Sequence, residues 1–84
     1  MKFINVGYGN MAAAHRLIAV VSPEAAPVRR MVQDARDAGH VIDATCGHKT
    51  RAVLVTDSEH VILSPLMPET IAGRMNPRKE VQPE

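Results

Sequence analysis

The first apolar positions along the chain, Phe3, Ile4 and Val6 around a polar Asn5, predict a short strand over residues 2–6. Gly7-Tyr8-Gly9-Asn10 ends it and supplies the positive-φ residues of a tight turn. The alanine-rich residues 11–15 read as strand continuing out of that turn, leading to a β-branched strand over residues 16–21. Ser22-Pro23-Glu24 interrupts there, because proline cannot donate to a central ladder. Val28, Met31, Val32 and Ala35 then fall at i, i+3, i+4 and i+7, one stripe of a helix predicted over residues 27–38. Pro27 suits the first helical position, and Gly39 suits the left-handed residue that stops a helix. Arg30 and Asp34 are spaced to pair on its polar face, for about 0.2–0.5 kcal/mol.

Three more strands are expected, over residues 41–44, 51–56 and 60–64, with Asp57-Ser58-Glu59 as the turn of a hairpin. Pro68 and Glu69 open a short helix over residues 68–75. The fold class is α+β: a small, mostly antiparallel sheet packed against one main helix, plus a short C-terminal helix. Residues 1–75 form a single domain and residues 76–84 a flexible tail. Ile4, Val6, Ile18, Val20, Met31, Val32, Val53, Val55 and Ile62 are expected in the core or an interface. The hairpin strands are apolar at consecutive positions, so both their faces call for burial. One helix covers one face. A partner, most simply another copy, is expected on the other.

Composition narrows the function. With 84 residues the chain makes one domain that buries only about 60–65% of its unfolded surface, which again favours association. A single cysteine, Cys46, excludes an internal disulfide framework and suits a reducing cytoplasm. No run of 18 apolar residues and no leader pattern suggests a membrane or secreted protein. One phenylalanine and one tyrosine are too few for a platform that stacks single-stranded bases.

Candidate chemistry is sparse. The Gly7–Asn10 turn lacks the third glycine and following helix of a nucleotide loop. Cys46 and His48 lack the second ligand pair of a zinc site, and with Asp43 they make an unconvincing nucleophile triad. No enzyme, metal, cofactor or small-molecule ligand is expected. The charge distribution says more than its sum of +1. All nine acidic residues lie outside residues 1–23 and 44–56, which hold Lys2, His15, Arg16, His48, Lys49 and Arg51. Brought together by a sheet, these stretches would form an acid-free basic edge suited to phosphates.

Several stretches resemble the RemA-like family of bacterial extracellular matrix regulatory proteins. They include Lys2-Phe-Ile-Asn-Val-Gly-Tyr-Gly-Asn10, Arg16-Leu-Ile-Ala-Val-Val-Ser-Pro-Glu24, Ile42-Asp-Ala-Thr45, Thr50-Arg-Ala-Val53 and His60-Val-Ile-Leu-Ser64. The resemblance runs in order from Lys2 to about Arg74. It implies a transcriptional regulator of biofilm-matrix genes that binds double-stranded DNA as a homo-oligomeric ring, in the cytoplasm at the nucleoid. It also implies DNA contact through Arg16 and through Gly47-His48-Lys49-Thr50-Arg51, where the family usually has Gly-Arg-Arg-Thr-Arg. Lys49 keeps the charge but loses the bidentate fork of arginine, and a histidine is mostly uncharged at pH 7. Cys46 stands where the family often has tyrosine. The DNA-facing residues are therefore expected to be Arg16, His48, Lys49 and Arg51. The alternative is an oligomeric protein-interaction scaffold without nucleic-acid affinity.

Overall fold

The computed structural model describes residues 2–76. Residues 77–84, and with them most of the expected tail, lie outside the described part. Strands β1 (Phe3–Gly7) and β2 (Asn10–Ala13) form an antiparallel hairpin. A single 3₁₀ turn, Ala14–Arg16, leads to β3 (Leu17–Val21), and helix α1 (Ala26–Asp37) follows. Then come β4 (Val41–Asp43), β5 (Ala52–Thr56), β6 (Val61–Ser64) and helix α2 (Pro68–Met75). The fold is α+β as expected, but the strands divide into two sheets. The hairpin stands alone, and β3-β5-β6-β4 make a second sheet in which β4 runs parallel to β6.

Helix α1 begins one residue earlier than predicted, with Pro27 in its first turn and Gly39 at φ +78° just past its end. Its stripe of Val28, Met31, Val32 and Ala35 packs on Val53, Val61 and Leu63, one face of the four-stranded sheet. The expected Arg30–Asp34 pair does not form. Among the described residues the one ion pair is Arg16–Asp57, and on α1 it is Gln33 that bonds to Asp37, at 3.0 Å. Both side chains of the missing pair are exposed, so water competes for them on equal terms.

The opposite face corrects the expectation that a partner must cover it. Ile4, Val6 and Ala12 from the hairpin and Ile71 from α2 pack there on Ala52, Leu54 and Ile62. Leu54 and Ile71 are both 0% exposed, a burial worth about 1.5–3 kcal/mol for each side chain. The double-faced strands are thus buried within one chain, by a short hairpin and a two-turn helix that a count of long helices overlooks. Arg74 fastens α2 to β1 by donating to the Asn5 carbonyl at 2.7 Å.

Two local irregularities shape the surface. The β3–β5 register shifts between Leu17 and Ala19, so Ile18 is the extra residue of a bulge. It is 67% exposed instead of buried. The predicted strand through residues 11–15 breaks at the 3₁₀ turn, which turns the chain from the hairpin into the larger sheet. Arg16 consequently ends that turn and does not open a strand. Val20, Met31, Val32 and Val55 are half-buried at the margins of the two cores.

Candidate nucleic-acid interface

The loop between β4 and β5 carries three of the four expected contact residues, and its shape is built from the inside. Asp43 accepts hydrogen bonds from the Thr45 hydroxyl at 2.6 Å and the Thr45 amide at 2.9 Å. The hydroxyl bond first, the amide bond next, and to a smaller degree the nearby Arg36 charge hold the Asp43 carboxyl below the usual carboxylate range. Thr45 is buried, so this bracket anchors the start of the loop. The chain then reverses, with the His48 amide donating to the Thr45 carbonyl at 2.9 Å. Cys46 at φ +54° and Gly47 at φ +85° occupy the central positions, the φ signature of a type I′ turn.

His48 leaves this turn lying against Tyr8, whose own turn approaches from the β1–β2 hairpin. The rings are 5.0 Å apart and inclined by 22°. The Tyr8 hydroxyl is 2.9 Å from His48 Nδ1, which is also 3.3 Å from the Thr45 carbonyl. Nδ1 is thereby occupied within the protein. Among the described residues Nε2 has no hydrogen-bond partner and is the nitrogen left for an outside group.

Tyr8 can stand here because Gly7, at φ +131°, passes directly over Pro65. A Cβ on Gly7 would lie 2.6 Å from the proline Cδ. Sequence reasoning takes this turn as plain and misses Tyr8. The one signal is the chain's only tyrosine, set between two glycines.

Lys49 and Arg51 are exposed. With Thr50 they line a recess of about 230 Å³ whose other walls are Ser22–Glu24 and Met67–Glu69. Arg16 lies elsewhere. Its Nε donates to both oxygens of Asp57, at 2.7 and 3.0 Å, and the Asp57 amide donates to the Arg16 carbonyl at 2.9 Å. The two side chains are 52% and 46% exposed, so the pair contributes at most about 1 kcal/mol. Arg16 therefore sits just beyond the last residue of β5, and Arg51 just before the first. Five strand residues separate the two ends, on the order of 17 Å at about 3.4 Å each.

The acid-free edge is thus corrected. The acid-free windows are a property of chain order. In space Asp57 reaches Arg16, while Glu24 and Glu69 share a recess with Lys49 and Arg51. Within one chain the fold brings His48, Lys49 and Arg51 onto one end and places Arg16, with His15 and Lys2, at the other. The Ala14 amide bonded to the Lys2 carbonyl at 2.8 Å joins that second group.

These features describe a small α+β domain that displays basic side chains at both ends of one sheet, one group on a braced loop. The family model for extracellular matrix regulatory protein A-like proteins matches residues 3–75. The chain belongs to this RemA-like family. It is 57% identical over 84 residues to a protein of Bacillus cereus (strain AH187) named "Putative regulatory protein", covering 100% of this chain and 97% of that one. Proteins of the same name in Bacillus cytotoxicus (strain NVH 391-98) and Bacillus anthracis (strain CDC 684) are 56% identical over the same shares. The family and its relatives' names thus support a regulatory role. Among the described residues no helix is long and apolar enough to cross a membrane.

Proposed function

We propose that this protein is a DNA-binding transcriptional regulator of extracellular-matrix genes. It acts as a ring-shaped homo-oligomer whose repeated basic side chains hold duplex DNA. The observation that carries this reading is the braced presentation of His48 beside Lys49. Asp43, Thr45 and Tyr8 fix the His48 ring, so little conformational freedom is lost when it meets a phosphate. Lys49 supplies the charge, and Arg16 adds a second contact if its guanidinium serves Asp57 and a phosphate together.

One copy offers few phosphate contacts. A ring multiplies them by raising the effective concentration of each after the first. Those contacts would offset the cost of curving DNA, on the order of 1–6 kcal/mol for a bend of 40–90° over 20–30 bp.

The test is fluorescence anisotropy with duplex DNA across a salt series, on protein of known oligomeric mass. Log affinity is expected to fall with log salt by about 0.9 for each phosphate neutralised. Lys49→Ala should weaken binding to all sequences alike and flatten that slope by about one for each phosphate that Lys49 neutralises, with oligomeric mass unchanged. An intact oligomer that ignores DNA at low salt overturns the reading. The scaffold alternative would then stand, favoured by the carboxylates beside Arg16, Lys49 and Arg51.

A further inference from the structure

Away from the DNA-facing residues, the parallel pairing of β4 with β6 sets two histidines side by side. Val41 is in register with Val61, and the Val61 amide donates to the His40 carbonyl at 3.0 Å. His40 and His60 therefore stand one step ahead of that pair, on neighbouring strands spaced about 4.7–4.9 Å apart. Their ring centres are 4.9 Å apart and the rings are inclined by 39°. A zinc ion lies about 2.0–2.1 Å from each imidazole nitrogen that holds it, and so about 3 Å from each ring centre. Two imidazoles sharing such an ion at adjacent positions have centres roughly 4.5–5 Å apart. The strand spacing thus supplies the separation that a shared ion requires.

The ring nitrogens are also disposed for it. His60 Nδ1 lies 3.1 Å from the Ser58 carbonyl and 2.9 Å from the Ser58 hydroxyl. The carbonyl can only accept, so that contact puts the ring proton on Nδ1 and leaves the Nε2 lone pair free. A backbone carbonyl on the far nitrogen is the usual outer support of a metal-bound histidine. The turn leading to His60 is held by buried Thr56, whose Oγ1 accepts the His60 amide at 3.1 Å and the Ser58 amide at 3.2 Å. Among the described residues the His40 ring makes no hydrogen bond, only the contact with His60. Both histidines line a cavity of about 310 Å³ beside the end of α1, with Asp34, Ala38 and Glu59. No lysine or arginine lines it, in a chain that holds ten. Two carboxylates and the negative end of the helix dipole favour a cation there.

We infer that His40 and His60 form a binding site for a divalent transition-metal ion of the zinc, nickel or copper class, which imidazole prefers to magnesium or calcium. Among the described residues no third histidine, cysteine, aspartate or glutamate joins the pair to make a three-ligand set. Water therefore completes the coordination, and the site takes up metal reversibly. Asp34 and Glu59 contribute charge and not bonds. The bound ion ties the edge strand β4 to β6. None of these residues belongs to the proposed DNA-facing set, so metal binding and DNA binding stand or fall separately.

Calorimetric titration of the full chain with zinc, nickel and copper(II) chlorides tests the site, with the exposed Cys46 thiol alkylated so that it cannot compete. One ion per chain is expected, held most tightly for copper(II), and no magnesium. His40→Gln and His60→Gln should each weaken binding at least about tenfold, whereas His15→Gln should leave it unchanged. Thermal melts without metal should match the parent's, and His40→Asn or His60→Asn replaces a variant that melts early. Pulsed electron paramagnetic resonance of the copper-loaded protein should count two bound imidazoles in the parent and one in either variant. Undiminished affinity in both variants, a single imidazole in the parent, or no saturable binding up to millimolar metal would overturn the site. Magnesium held as tightly as zinc would assign the ion to the carboxylates and refute the histidine pair.

Discussion

Beside its apolar packing, the hairpin that brings Tyr8 to His48 is tied to the larger sheet by one buried hydroxyl, and removing it is the sharpest test of the fold. Ser64 is 0% exposed. Its Oγ donates to the Val6 carbonyl at 2.7 Å and accepts the Leu66 amide at 3.1 Å. The β1–β2 register steps from the Asn5–Met11 pair to the Gly7–Asn10 pair and leaves Val6 outside the ladder. Its carbonyl therefore depends on Ser64.

Ser64→Ala orphans that carbonyl, which costs about 1–3 kcal/mol when buried. The half-buried Leu66 amide can turn to water instead. The expected destabilisation is about 1–3 kcal/mol, a fall of roughly 5–20 °C in Tm for a domain of this size. Urea unfolding followed by circular dichroism measures it. Protein concentration must be held fixed, since association shifts apparent stability, and the denaturant slope should stay unchanged. A loss below about 0.5 kcal/mol would mean that water reaches Val6 and that the hydroxyl does not hold the hairpin.

Three further outcomes follow from the same region. Gly7→Ala should destabilise by more than about 2 kcal/mol, from a strained φ together with the Pro65 clash. Gly9→Ala, left-handed at φ +79° but facing open space, should cost only about 1 kcal/mol; equal thermal melts would refute the clash. Tyr8→Phe keeps the ring stack but removes the hydroxyl beside His48 Nδ1. It should weaken DNA binding by a few-fold with little change in melting, and parental affinity would show that His48 needs no brace. The Asp43 carboxyl, lowered in the folded state by Thr45, stabilises the loop fully above its unfolded value near 3.8. That contribution disappears as pH falls through the lower folded value. The melting difference between the parent and Asp43→Ala should therefore be constant at neutral pH and shrink below about pH 4. A difference that persists unchanged into strong acid would assign the stabilisation to something other than the carboxylate.

Much of the local structure was legible along the chain. The stripe from Val28 to Ala35, the stop at Gly39, the hairpin around Asp57-Ser58-Glu59 and the Pro68 helix start all depend on neighbours a few residues apart. Periodicity and turn chemistry act over that range, so sequence order reports them directly. The consecutive apolar residues of β5 and β6 also announced burial on both faces, and both faces are buried. Resemblance to the RemA-like family drew attention to His48, Lys49, Arg51 and Arg16.

Tertiary structure alone decided what covers each face and which charges meet. The hairpin and α2 close the second face through contacts between residues far apart in sequence, such as Ile4 with Leu54 and Ile71. Ile18, apolar like its neighbours, is turned outward by a bulge that only its pairing with β5 creates. Arg16 and Arg51 both sat in acid-free windows, yet β5 holds them at opposite ends and the next turn delivers Asp57 to Arg16. Charge order along a chain carries no record of strand pairing. Pairing sets the distances, and distance determines whether two charges share a phosphate.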